Sequence, residues 1–176
     1  GALAAAVATC ASVDPVELTD GEVLDAVLGL SVVLGRVESC LARAADSFRT
    51  RSLHTLDAAR SVESWLAART QLSHGRAKGL VGAGRLLPSC PHVDAAFAAG
   101  SLGSAKVELL LGARDRVEDL FAAHEAELVE QVTVLTVRHA KVFLAHWRAV
   151  ALATVGADDG EDPSTDDTLN SLHVSS

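Results

Sequence analysis

Methionine, tyrosine and isoleucine are missing from this chain of 176 residues, asparagine occurs once, at Asn170, and aromatic residues make up 3% of it. Apart from valine, strand formers are therefore scarce, which argues against a β-sandwich or barrel. No apolar run approaches the ~18 residues that a membrane span requires. The opening stretch from Ala2 to Val13 is apolar, yet it has neither the basic flank nor the cleavage site of a signal peptide. Because the chain opens on Gly1 rather than Met, it reads as a processed chain or an excised fragment. Its three cysteines (Cys10, Cys40, Cys90) are odd in number and far apart, so they do not form a disulfide framework. A reducing bacterial cytoplasm is the expected compartment.

What the chain does contain is helix-forming residues: 31 Ala and 25 Leu in a sequence that is 49% apolar. That apolar fraction argues against disorder, and a chain of this length buries roughly 70% of its unfolded surface without a metal or disulfide staple. The expected fold class is all-α: a helical bundle with a long N-terminal helix, a helix-turn-helix-like middle and two longer C-terminal helices. A short strand is expected at the extreme C-terminus.

The net charge of −8 is segregated. Residues 1–42 carry one Arg against six acids (−5), residues 43–88 eight bases against three acids (+5), residues 89–155 six against eight (−2), and residues 156–176 six acids and no base (−6). A basic middle in an acidic chain suits local contact with phosphate, made salt-sensitive by the global charge. It suits equally a basic helix face that is solvated or paired with acidic neighbours.

Three regions follow from the composition: an N-terminal flank over 1–18, a helical domain over 19–155, and an acidic linker leading into a following region over 156–176. Thr19 and Glu22 have capping-box spacing, and Asp14-Pro15 breaks any earlier helix. Val23, Val27, Leu30, Leu34, Val37 and Leu41 then form a seam of period 3.5, continued by Ala44 and Phe48. Such a seam packs either inside one bundle or against a second subunit, so its first six residues are a candidate homodimer interface. Ser61 is placed to cap a helix over 62–69, Ser73 one reaching Leu87, and Ser104 one over 105–113. A short helix over 92–99 closes at Gly100. Val117, Phe121, His124 and Leu128 mark one longer helix. Val137, Ala140, Leu144, Trp147 and Ala151 mark another, with Thr136 as its cap.

Residues 61–87 fit a helix-turn-helix template. Ala67 is the small residue at the crossing, Leu72 the apolar turn residue and Ala77 the second small residue, with Leu66 and Leu80 on the remaining buried positions. In that template the second helix enters the major groove with its N-terminal side chains. On it, Ala77, Leu80, Gly84 and Leu87 gather on a buried side, His74, Lys78 and Arg85 form a basic row, and Gly75, Gly79 and Gly82 leave a bare stripe for close approach. The candidate DNA contacts are Arg60, Arg69, Arg76, Lys78 and Arg85 on phosphates and Ser73 and His74 nearest the base edges. With so few long side chains to read bases, specificity is expected to be low.

Several motifs resemble one family. Ala58-Ala59-Arg60-Ser61, Trp65-Leu66-Ala67-Ala68-Arg69, Leu72-Ser73, Leu86-Leu87-Pro88, Ala99-Gly100-Ser101-Leu102 and Leu172-His173-Val174-Ser175 look like the actinobacterial domain of unknown function numbered 222. That domain is the N-terminal module of the mycobacterial 13-E-12 repeat proteins. The resemblance spans about 20–176. It implies a helical accessory module whose parent protein carries a C-terminal HNH nuclease domain. Relatives tend to be Arg-rich in the second helix of the motif, where this chain has Gly75, Gly79, Gly82 and Gly84, which implies weak DNA affinity.

Catalytic residues are not expected in this chain. An HNH site needs a His base, an orienting Asn and further metal ligands on a ββα unit, and no such pattern surrounds any His here. His139 and His146 share one helix face and His124 lies on an apolar seam, without convergent carboxylates, so they read as packing or surface residues. Cys90-Pro91-His92 supplies two ligands at most. The helix glycines lack phosphate-loop spacing, and Trp65 and Trp147 read as core anchors. No enzyme activity, metal or cofactor is expected. Two functions remain: a DNA-targeting accessory module through the basic segment, and a dimerisation or protein-interaction scaffold that does not touch nucleic acid. No membrane association is expected.

Overall fold

A computed structural model describes residues 11–158 of the chain together with Ala5 and Ala8. The described residues are all-α and contain no strand. Their helices are α1 (Asp20–Thr50), α2 (Val62–Arg69), α3 (His74–Leu86), α4 (Pro91–Ala99), α5 (Ser104–Ala113), α6 (Glu118–Val134) and α7 (Val137–Asp158). The C-terminal strand expected over 169–176 lies outside the described residues, as does most of the acidic linker. No described helix is long and apolar enough to cross a membrane.

Local chemistry sets the helix starts. The Thr19 hydroxyl accepts from the Glu22 amide at 3.4 Å while the Glu22 carboxylate accepts from the Thr19 amide at 2.8 Å, a reciprocal capping box. The bond from the Thr19 amide, and then the one from its hydroxyl, hold the Glu22 carboxyl below the usual carboxylate range. Ser61, Ser73 and Thr136 cap α2, α3 and α7 as their positions suggest. Gly100 ends α4 with φ at 77°, a left-handed conformation that glycine adopts without a Cβ penalty. The expected cap Ser104 is instead the first residue of α5, with Gly103 at the cap position. The Ser104 hydroxyl accepts a hydrogen bond from Arg76.

The body is formed by α2–α7 and the C-terminal half of α1, which packs on α3 and α4. Phe97, Leu102, Val107, Leu110, Phe121 and Val132 are fully buried at its centre. Trp65 and Trp147 sit half-buried at its edges. The ring of Trp65 lies 4.4 Å from that of Phe48, and the ring of Trp147 packs edge-on against Phe121 at 6.0 Å. The expected buried side of α3 is confirmed: Ala77, Leu80, Gly84 and Leu87 are all buried.

The face of α1 that meets the body is not the apolar seam. Gly35, Ser39, Ala42 and Ala45 are its buried residues, whereas Val37 and Leu41 stay exposed. At 100° per residue the two rows lie roughly a third of a turn apart. Small residues win because the backbones approach closely: Gly84 of α3 abuts the Ala42 carbonyl, and Gly35 lies against the Leu102 carbonyl and the Cα of Gly100. A valine or leucine in that row would hold the helices apart. Packing of the seam from Val23 to Leu41 inside the bundle is therefore corrected. Only its far end, at Phe48, reaches the core.

Candidate functional site

Two surfaces were candidates, and the fold treats them differently. The N-terminal part of α1 projects past the body, and every residue from 20 to 31 except half-buried Ala26 is exposed. Val23, Val27, Leu30, Leu34, Val37 and Leu41 are between 37% and 61% exposed, and Leu24, Leu28, Val32 and Val33 are exposed as well. The first six run as one exposed apolar stripe, whereas Leu24, Leu28, Val32 and Val33 lie on other sides of the helix. Val13, Pro15 and Leu18 meet Val23, Ala26, Val27 and Leu30 around an apolar groove of about 410 Å³ on the seam side.

The basic segment is less free than its sequence suggests. Arg76 points inward: its guanidinium donates to Glu38 of α1 and to Glu108 (2.9 Å) and Ser104 of α5, joining three helices. Its expected phosphate contact is replaced by this internal network, because α1 and α5 bring two carboxylates to the flank of α3. Gly79 is not bare either. The Glu108 carboxylate lies over it, 2.5 Å from where a Cβ would be, so the missing side chain makes room for the acid that pairs with Arg76. The Ser73 hydroxyl accepts from the Arg76 amide at 3.2 Å and is spent as a helix cap rather than turned to a base edge. Arg69 pairs with Asp57 at 3.0 Å, the same carboxylate that accepts the Trp65 indole at 2.7 Å.

Arg60, His74, Lys78 and Arg85 remain exposed, and nothing lies within 4 Å of a Cβ built on Gly75 or Gly82. A shallow groove of about 400 Å³ runs beside them between α3 and α5, lined by Gly75, Lys78, Gly79 and Gly82 with Glu108 in its wall. That acid reduces the positive potential a phosphate would meet.

One polar residue of the core was not foreseen. Glu125 of α6 is 3% exposed, and its carboxylate accepts from the Val93 amide at 2.8 Å, capping α4 where Cys90 gives no side-chain cap. Its heptad-like position on α6 marks it as inward-facing, but nothing local identifies its partner 32 residues away. Cys90 is fully buried beside it. Burial pushes the Cys90 thiol above its usual value, a hydrogen bond with Ser89 opposes this, and the Glu125 charge adds to it. Burial also lowers the Lys106 ammonium, which donates to the Thr133 carbonyl at 2.8 Å. His124, His139 and His146 are exposed, and among the described residues no group of three or more His, Cys, Asp or Glu is arranged to hold a metal ion.

Comparison with protein-family models, with curated proteins and with solved structures finds no match to this chain. The likeness to the actinobacterial domain rests on the motifs quoted above alone.

Proposed function

We propose that this chain is a helical interaction module that docks through the outer face of α1. The observation that carries this reading is the row from Val23 to Leu41, apolar and exposed along a helix whose body contacts are made by a different, small-residue face. A surface helix of a closed monomer turns its apolar stripe to the core. Here the stripe faces out, and burying it against a partner recovers roughly 25 cal/mol per Å². Changing Val27 and Leu30 together to Glu tests the reading. The helical spectrum should survive, since neither residue is buried in the body, while association or, in a monomer, binding of an apolar dye should disappear. A variant that matches the parent in both refutes it.

Nucleic-acid contact is the second reading, supported by the exposed Lys78 and Arg85 on α3 and by the motif resemblance. It makes the chain the DNA-targeting module of an HNH nuclease, with Arg60 and His74 as further contacts and with Arg76 outside the contact set. A mobility-shift titration against salt separates the two readings, because only phosphate contact gives a steep salt slope.

A further inference from the structure

The chain carries a covering for the first half of its own α1 seam. We propose that residues 2–10 are a strap that closes over the seam from Val27 to Leu34 of the same chain, antiparallel to α1. This rests on the reading of α1 as a docking surface and adds its regulation, because strap and partner compete for one seam.

The turn that aims the strap is already made. Asp14 caps the short helical turn Pro15–Glu17, and Val13, Pro15 and Leu18 form one wall of the groove whose other wall is Val23, Ala26, Val27 and Leu30. The chain upstream of Val13 therefore departs from the seam side of α1, not from the Gly35–Ser39–Ala42 side that meets the body. Residues 1–13 hold no charged side chain, so laying them on an apolar stripe strips no ion of water.

Spacing sets the register. Leu3, Val7 and Cys10 recur at steps of four and three, the period of the seam itself. Counting outward from Val13 and Val23, Cys10 meets Val27, Val7 meets Leu30 and Leu3 meets Leu34. Ala5 and Ala8 are helical and exposed, and the Ser12 amide donates to the Ala8 carbonyl at 3.0 Å. At 100° per residue those two alanines fall on the side away from the Leu3–Val7–Cys10 row, as the register requires. The seam stands open in this structure, the state in which a partner docks. A strap with two large aliphatic side chains buries little, so it yields to a partner that brings more.

The test uses the full chain with Cys40→Ser, keeping Cys10 and the buried Cys90. In Val27→Cys, a short bis-maleimide should bridge Cys10 to the new thiol within one chain, seen as a mass of one chain of 18.2 kDa plus a single reagent. Asp25→Cys, about 160° round the helix, should instead take two reagents. Equal bridging in both variants, or a link that joins two chains, overturns the strap. Leu3→Glu with Val7→Glu should raise apolar-dye binding severalfold, and adding Val27→Glu with Leu30→Glu should cancel the rise. No rise overturns the strap and leaves the docking surface standing. A rise that survives the added Glu pair overturns both readings, since the surface released is then not the α1 seam.

Discussion

The carboxylate of Glu108 lies over Gly79 so closely that a methyl group there would stand 2.5 Å from its Oε1. The absent side chain of Gly79 thus lets α5 deliver an acid to Arg76, one turn earlier on α3. Gly84, one more turn along, leaves room for backbone instead: the carbonyl of Ala42. The two glycines look alike in sequence and respond differently to substitution.

Gly79→Ala should be nearly neutral. It displaces the end of a flexible side chain and loosens a partly exposed ion pair worth about 0–1 kcal/mol, while helix propensity returns up to about 1 kcal/mol. Gly84→Ala should instead lower stability by about 1–3 kcal/mol, because a carbonyl of α1 cannot swing aside. Urea unfolding of the two variants checks this, and equal midpoints would mean that the contact between α1 and α3 can yield.

Arg76 should behave as a structural residue. Arg76→Ala leaves Glu38 and Glu108 without their partner and should cost about 1–3 kcal/mol of stability. Lys78→Ala with Arg85→Ala should change stability by no more than about 0.5 kcal/mol, since both side chains are exposed. If the chain binds DNA, that double variant should also flatten the salt slope by roughly two units, and Arg76→Ala should leave the slope alone. The opposite pattern would return Arg76 to the contact set.

Glu125 should be worth more than its exposed neighbours on α6. Glu125→Ala removes the acceptor of the buried Val93 amide, at a cost of about 1–3 kcal/mol. Glu125→Gln keeps an oxygen at that place and should lose less. Thermal unfolding monitored at 222 nm orders the two, and a Gln variant as unstable as the Ala variant would mean that shape rather than capping matters there.

Cys40 and Cys90 should alkylate at very different rates. Cys40 is exposed, whereas Cys90 is buried and its thiol is held above the usual 9.0. Iodoacetamide at pH 8 with mass readout should label Cys40 in the folded protein and Cys90 only with unfolding. Because the folded state resists ionising Cys90, the corresponding stability is complete below 9.0 and declines as pH rises past it. Cys90→Ser should remove that decline, and an unchanged alkaline limb would assign it to another group.

Sequence alone determined the helices, because their signals are local. A capping box at Thr19–Glu22, hydroxyl caps at Ser61, Ser73 and Thr136, and a glycine stop at Gly100 each act within one turn of the chain. The buried side of α3 was legible too, since Ala77, Leu80, Gly84 and Leu87 fall at helical spacing. Which face of α1 turns inward was not legible. Hydrophobic periodicity favours the Val23–Leu41 seam, but helix packing rewards close backbone approach, and the Gly35–Ser39–Ala42–Ala45 row permits it against Gly84 and Gly100. The partner of Arg76 was likewise hidden, because Glu38 and Glu108 lie 38 residues before it and 32 after. A charge looks free in sequence until tertiary structure sets a carboxylate beside it, and for that reason only the fold could separate Arg76, held inside, from Lys78 and Arg85, left facing water.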